Sequence, residues 1–336
     1  MKTAHELMIT LARRHAFGDL AALVAAGAVP AGRAVPIGAL CAFGQRVLEL
    51  DAEDFGLPEA AGEVPADLLD RARSSRMPQS AAERPRGALA TLRPAYALLL
   101  EVIEIHWRRR EMAALAAAVH IAGEYLPALA WEPVLGHAAD PEPLRTAVVG
   151  PGSYFGVPQP RTPDPVTGGR PERRCEHTQA LQSAAGRALK VAGEPPSGWR
   201  AYLDRQHSQV ARALGVCAVR CRTPCSVVTR LDAGTREALT DRCRLALEFT
   251  DGALVKLRHA APVGHGFGVP SPDEVLDAWR RSRTSLARRP LGAAVLADDG
   301  YPLPGLPALF SAVAGAPVRP DTLLHDVADR IAAALD

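Results

Sequence analysis

The longest helical pattern of the chain is AYALLLEVIEIHWRRREMAALAAAVHIAGEYL, residues Ala95–Leu126. Its apolar residues recur three, four or seven positions apart, which predicts an amphipathic helical stripe and a mainly α fold. The stripe consists of Leu98, Val102, Ile105, Met112, Leu115, Val119 and Ala122. Arg108–Arg110 lie between its halves, so the pattern fits one bent helix or two. Pro127 is expected to end it, because proline lacks the N–H that continues a helix.

The chain before this stretch also has helical spacing. Helices are predicted over His5–His15, Leu20–Ala26, Val35–Leu50 and, after Pro65, Ala66–Arg73. Residues 52–65 and 74–87 contain Gly, Pro and polar residues and are expected to be loops. The sequence therefore predicts an all-α module over residues 1–139.

Residues 140–176 differ in composition and are predicted to be a connector rich in Pro and Gly. Eight prolines lie between positions 141 and 171, so no helix longer than one turn is expected over residues 151–173. The glycines of Gly150–Gly156 follow a short apolar run. The prolines after them leave no room for the helix that a dinucleotide site needs. This segment is expected to be an irregular loop, or alternatively to line a pocket.

Residues 177–336 are predicted to form an α+β domain. Helices are expected over Thr178–Val191 and Trp199–Cys221, and a strand over Ser226–Leu231. Alternating apolar residues flank Asp251–Gly252, which predicts an antiparallel hairpin over Arg244–His259. A helix is expected from Ser271 to about Ser285, and a last one is expected to open at Pro320–Asp321. The fold class expected is mainly α with a small antiparallel β part.

The composition and the charge balance argue against several classes of protein. The chain has 336 residues, 39 Lys and Arg, 37 Asp and Glu, and a net charge of +2. This balance does not favour a dedicated nucleic-acid binder. The chain is nonetheless arginine-rich. Its arginine clusters are interpreted as solvated faces, and a site for nucleic acid or a phosphorylated ligand is the alternative that is not favoured. These clusters are Arg108–Arg110, Arg170–Arg174, Arg220–Arg222, Arg280–Arg283 and Arg288–Arg289. No membrane span and no export signal are expected, which predicts a cytoplasmic protein with reduced cysteines.

The cysteines give the most specific chemical signal. Cys217, Cys221 and Cys225 follow a C-x3-C-x3-C spacing, and Cys243 lies further along the chain. Cys217 and Cys221 would lie one helical turn apart, and four thiolates can close a tetrahedral site for zinc or, as second choice, hold an Fe–S cluster. Alternative fourth ligands are Cys175 and His177. The competing interpretation is that Cys217 and Cys221 pack in the core.

Two histidine patterns complete the candidate chemistry. His265 lies among three glycines before a helix start, where it could act as a general acid or base, although a plain connector is the favoured interpretation. His120 and Glu124 are one helical turn apart and are expected to contact each other or an arginine.

The leading hypothesis is a binding or accessory protein with a structural metal. The alternative is a zinc or Fe–S enzyme whose pocket lies between the halves, lined by residues 150–156, Cys175, His177 and His265.

Overall fold

The fold is known from a computed structural model, which describes residues 3–50, 62–144, 198–200, 203, 214–219, 228, 230–260 and 268–336. Of these residues, 71% are helical and none lies in a β-strand. The expected α+β class is therefore wrong for this part of the chain, which is all-α.

The described helices, in chain order, are α1 (Ala4–Arg13), α2 (Phe17–Ala25), α3 (Ala31–Leu48), α4 (Ala66–Ser75), α5 (Arg93–Arg109), α6 (Met112–Leu135), α7 (Ala233–Thr250), α8 (Ala253–Lys256), α9 (Pro272–Leu286), α10 (Leu306–Ala314) and α11 (Leu323–Leu335). Short 3-10 turns cover Gly87–Leu89, Leu257–Ala260 and Gly292–Leu296. Residues 199, 200, 203 and 214–219 are helical, as predicted for Trp199–Cys221. The Thr178–Val191 helix and the absence of a helix over 151–173 remain predictions, because those residues lie outside the described part.

Helix α6 is the centre of the packing. It contacts α5 on one side and α7 and α10 on others, while α11 packs against α1, α3 and α5. The buried apolar residues of these helices form one continuous cluster from Met8 to Leu335. The proposed domain boundaries at 139 and 177 stay predictions.

The Ala95–Leu126 pattern forms two helices. Helix α5 ends where Arg110 adopts a left-handed backbone conformation, with φ 62° and ψ 29°. The cap N–H of Arg110 is bonded to the carbonyls of His106 and Trp107, which closes the last turn of the helix. A new helix then starts at Met112. The apolar stripe continues through this corner because α5 and α6 pack against each other.

Pro127 does not end α6, which continues to Leu135. A proline in mid-helix leaves the carbonyl four residues earlier without its N–H donor. Here that carbonyl belongs to Gly123, and the hydroxyl of Thr250 on α7 lies 2.8 Å from it. The same hydroxyl lies 2.9 Å from the carbonyl of Ala246 in its own helix, so its single proton is shared between the two acceptors. The expected break is wrong because a neighbouring helix supplies the missing donor.

The predicted hairpin over Arg244–His259 is a helix, a turn and a second short helix. The turn at Asp251–Gly252 is in the expected place, but α7 precedes it and α8 follows it. Asp232 accepts a hydrogen bond from the N–H of Thr235 and starts an 18-residue helix that extends through the alternating segment. Leu245, Ala246, Leu247 and Phe249 are all buried. The alternating apolar residues of this segment therefore belong to a helix that is buried on several sides, and not to a strand with one buried face.

The predicted strand Ser226–Leu231 is described only at positions 228, 230 and 231, where Val228 is helical and no residue is in a strand. The helix expected from Ser271 is confirmed as α9. The Ser271 hydroxyl accepts from the N–H of Glu274, and the Glu274 carboxylate accepts from the N–H of Ser271. The predicted N-terminal helices are confirmed as α1, α2, α3 and α4, and the last helix as α11.

A buried ion pair closes the loop after α4. Both oxygens of Asp140 accept from Arg86, each at 2.7 Å, and the Arg86 guanidinium lies 5.7 Å from the centre of the Trp199 ring. Trp199 donates from its indole N–H to the carbonyl of Pro78 at 2.7 Å. Gly87 is required here, because a Cβ at its φ of 51° would collide with the carbonyl oxygen of Arg76.

Helix α6 is, among the described residues, long and apolar enough to cross a membrane. Of its most apolar window, 61% is buried inside the protein. Length and composition of this kind are shared by membrane spans and by the core helices of soluble proteins.

Candidate functional site

The cysteine set is partly described. Cys217 lies in the helical segment 214–219 and Cys243 lies on α7, and both are fully buried. Burial raises the pKa of Cys243 to about 12; within this shift the charge of Arg242 acts in the opposite direction and the nearby thiol of Cys217 in the same direction. Two of the four predicted ligands are therefore neighbours in the core.

The other two ligands, Cys221 and Cys225, lie outside the described residues, as do the alternatives Cys175 and His177. His265 and the 150–156 loop also lie outside them, so the predicted pocket between the halves stays a prediction. Within the ranges that the structure describes, no group of three or more His, Cys, Asp or Glu is placed to hold a metal. The four-cysteine site therefore also remains a prediction.

The described part of the chain brings together a second set of polar side chains, called here the histidine cluster. It consists of His15, Glu101, Glu104, Arg108 and His325. His15 lies in the turn between α1 and α2, the next three residues lie on α5, and His325 lies in the first turn of α11. The cluster thus joins three elements that are far apart in the sequence.

Glu101 holds the start of α11 in place. Its Oε1 accepts from the backbone N–H of His325 at 3.0 Å and from the ring Nδ1–H of the same residue at 2.7 Å. Thr322, the residue before this helix, makes no side-chain cap of its own. The free N–H groups of a helix start favour a negative charge, so a fully buried carboxylate is tolerated at this position.

His325 is held in one orientation by two partners. Since the Glu101 carboxylate only accepts, Nδ1 carries the proton that it donates, and Nε2 accepts from Arg108 Nη1 at 3.3 Å. Arg108 also donates to Glu104 on the preceding turn of α5. The hydrogen bond to Glu101 raises the pKa of His325. The side chain of His325 is 36% exposed and that of Glu104 is 19% exposed.

His15 is the neutral member of the cluster. Its ring centre lies 4.8 Å from that of His325 and 5.7 Å from that of Phe17, in edge-to-face contacts. Burial, together with the nearby charges of His325, Arg109 and Arg108, lowers the pKa of His15 from 6.5 to about 4. Its backbone carbonyl accepts from Arg109. The residue has φ 56°, an uncommon conformation for a side chain of this size.

Two buried atoms of this cluster have no hydrogen-bond partner within the described residues: Glu101 Oε2 and His15 Nε2. A buried polar atom without a partner costs free energy and calls for an explanation such as a bound water or ligand. Such atoms also occur elsewhere in the described residues, for example Trp131 Nε1 and Arg258 Nε, so they become informative only together with the geometry around them.

The predicted contact between His120 and Glu124 is confirmed, with 2.9 Å between Nε2 and Oε1. This interaction lowers the pKa of Glu124, and the nearby charge of Arg258 contributes. Some described members of the arginine clusters pair with carboxylates, namely Arg109 with Glu111, Arg280 with Asp277 and Arg289 with Glu248. Arg283 instead donates to backbone carbonyls. The ion pairs fit the solvated faces that were the favoured interpretation of these clusters.

Sequence reasoning did not identify His325 or His15 as site residues. One signal was available, because Glu101 lies three residues after Leu98 and four before Ile105, within the apolar stripe. A carboxyl group at a stripe position implies a buried charge that needs a partner. Nothing in the local sequence indicates that the partner lies 224 residues further along the chain.

No protein-family model, no curated protein and no solved structure matches this chain.

Proposed function

We propose that this chain is a binding or accessory protein whose C-terminal part is stabilised by a structural zinc on Cys217, Cys221, Cys225 and Cys243. The observation that supports it is the pair of buried, neighbouring thiols of Cys217 and Cys243, which come from two separate helical segments. Structural zinc sites join segments in this way.

The ligand set decides between an accessory and a catalytic role for the metal. Four thiolates close the tetrahedral coordination of zinc and leave no position for water or substrate, whereas catalytic sites keep one position open. The proposed ion is therefore structural, and its binding free energy adds to the free energy of folding.

The metal must compete with protons for these sulfurs. The raised pKa of Cys243 means that its thiol keeps its proton well above neutral pH when no metal is bound. Zinc uptake releases protons from such thiols, so the affinity for zinc is expected to rise with pH.

Metal analysis of the purified protein tests the proposal. We expect one zinc per chain in protein grown with added zinc, and loss of the metal together with thermal stability in C243S. C41S is the matched control, because Cys41 is equally buried but lies outside the ligand set. If the purified protein is brown and contains iron, the four cysteines hold an Fe–S cluster instead of zinc.

Metal-free protein from zinc-supplemented cells, or equal metal content in C243S and the wild type, would reject the site. Cys217 and Cys243 would then be core residues, and C243S would cost only the burial of a hydroxyl group, on the order of 1–3 kcal/mol.

A further inference from the structure

The histidine cluster has features that a helix cap alone does not need. Capping α11 requires one carboxylate oxygen, and Glu101 uses Oε1 for both bonds to His325. Its Oε2 stays buried and without a partner in the described residues, although the residue is fully buried. The same α5 surface also directs Arg108 to the ring of His325.

A carboxylate on Nδ1 changes the chemistry of an imidazole. It fixes the ring orientation and the tautomer, so that the lone pair is on Nε2, and it stabilises the imidazolium formed when Nε2 takes a proton. The raised pKa of His325 is consistent with this stabilisation. A buried carboxylate and an oriented, partly exposed imidazole form the arrangement of a general base.

Arg108 supplies the electrostatic partner. Its side chain is 57% exposed, and it lies 3.3 Å from the nitrogen that would take the proton. A guanidinium has five N–H donors in a planar fork, so it can bind two oxygens of an oxyanion while retaining Glu104. A ligand anchored there would have its acidic proton next to Nε2.

We propose that His325, positioned by Glu101, is a general base that takes a proton from a small organic acid whose carboxylate is held by Arg108. The lone pair of Nε2 forms the new N–H bond, and the electron pair of the broken X–H bond stays on the ligand. Arg108 is released from Nε2 and pairs with the bound oxyanion. This site is separate from the proposed zinc and does not depend on it.

Several charged or titratable groups bear on this proton transfer. From α5 they are Glu101, Glu104 and Arg108, and from the turn between α1 and α2 it is His15. On α4, Arg71 pairs with Asp321 and Asp326 at the start of α11. Because His15 is neutral down to about pH 4, it adds no competing positive charge beside the imidazolium near neutral pH.

The first test uses the wild-type protein and needs no substitution. Long-range 1H–15N NMR correlations of labelled histidines identify the tautomer of each ring. We expect neutral His325 to carry its proton on Nδ1 and to take the second proton on Nε2. A proton on Nε2 in the neutral ring would overturn the proposal, because that nitrogen could not then accept one.

The second test measures the reactivity of Nε2 with diethyl pyrocarbonate, which acylates only unprotonated imidazole. Rates at each histidine are followed by peptide mass spectrometry against pH. In E101Q the midpoint of the rate profile at His325 should move to lower pH, because a neutral amide stabilises the imidazolium less. Gln can still accept both bonds of the cap, so this variant retains the start of α11.

His5 is the internal control in the same samples. It pairs with Asp336 at 3.0 Å, but both side chains are exposed, and neither contacts Glu101. Its profile should be the same in the wild type and in E101Q. An unmoved profile at His325 in folded E101Q would show that Glu101 serves only as a cap, which rejects the proposal.

The third test concerns the ligand class. Sodium acetate should protect His325 from acylation in a saturable manner, and R108Q should weaken that protection about fivefold, the factor given by about 1 kcal/mol for one exposed ion pair. R110Q is the matched control, since Arg110 stacks at 5.9 Å on Trp107. If inorganic phosphate protects His325 and acetate does not, the ligand held by Arg108 carries a phosphate group and not a carboxylate. No saturable protection by either anion would reject Arg108 as an anchor.

Discussion

Acid should destabilise this protein through His15, and the size of the effect follows from the burial of its ring. The pKa of His15 falls from 6.5 to about 4 in the folded protein, mainly because burial disfavours the charged form. In the unfolded chain this imidazole binds a proton below about pH 6.5, whereas the folded protein does not bind it until about pH 4. Protonation therefore favours unfolding across this window.

The magnitude comes from the linkage between proton binding and stability. At 1.36 kcal/mol per pH unit, the interval from 6.5 to about 4 corresponds to at most about 3 kcal/mol of unfolding free energy. This contribution is complete above pH 6.5 and is lost as the pH falls to about 4. It is a large share of the 5–15 kcal/mol that is typical of folded domains.

H15N tests this reasoning. Asn is among the residues that best tolerate a positive φ, so it suits the backbone of this turn while removing the titrating group. Urea unfolding at a series of pH values from 7.5 to 4 gives the free energy of each protein. We expect the wild type to lose about 3 kcal/mol more than H15N over this range, even if H15N is less stable at pH 7.5 through lost packing.

Other histidines titrate in both proteins and cancel in the comparison. Burial also lowers the pKa of His106 and of His137, so both add acid sensitivity to the wild type and to H15N alike. The raised pKa of His325 acts in the opposite direction, because its contribution is complete below the unfolded pKa and is lost as pH rises. Parallel stability curves for the wild type and H15N would refute the assignment of this acid sensitivity to His15.

Three further substitutions, two of them with a matched control variant, test single interactions through the free energy of unfolding measured in urea. D140N should lower the free energy of unfolding by about 3–5 kcal/mol, because it leaves the buried guanidinium of Arg86 without its carboxylate. E142Q removes a carboxylate from an exposed ion pair and should lower it by less than about 1 kcal/mol. Equal losses in the two variants would contradict the role of burial. S271A should cost about 1 kcal/mol by removing the cap of α9, and no loss would show that the cap is dispensable. T250V should cost about 1–3 kcal/mol by leaving the carbonyl opposite Pro127 without a donor, while T284V, whose hydroxyl bonds only within its own helix, should stay within about 0.5 kcal/mol.

Helix starts were predictable from the sequence because their signals are local. Ser271 and Glu274 lie three residues apart and satisfy each other's free backbone N–H groups, and this pairing is complete within one turn. Pro65 and the residues after it likewise indicate the start of α4. Predictions of this kind are correct because the partners that decide them are neighbours in the chain.

The hairpin prediction failed because a short window cannot show how many faces of a segment are buried. Leu245, Leu247 and Phe249 alternate, but Ala246 between them is buried too, since α7 packs against α6, α9 and α10. A helix surrounded by others is apolar on most sides, and then its sequence has no clear period. The cap at Asp232, thirteen residues before the first alternating residue Leu245, decides the element instead.

Pro127 shows the same dependence on distant partners in a single hydrogen bond. A proline ends a helix where no other donor reaches the carbonyl four residues earlier, which the proline leaves without its N–H partner. Thr250, on another helix and 127 residues after Gly123, supplies a donor that it shares with the carbonyl of Ala246. The rule about proline is therefore sound, but its outcome depends on tertiary structure that the local sequence does not contain.

Glu101 carries this reasoning to the candidate site. A carboxyl group within an apolar stripe cannot be explained by its own helix, since burying it alone would cost several kcal/mol. It must meet a positive group, a set of donors or a helix start, and in this fold it meets the N–H groups at the start of α11 together with an imidazole. A helix start would satisfy the charge without any histidine, so the placement of His325 on that first turn needs a separate reason. Proton transfer at Nε2 provides one, because the carboxylate that caps the helix also fixes the tautomer that a base requires.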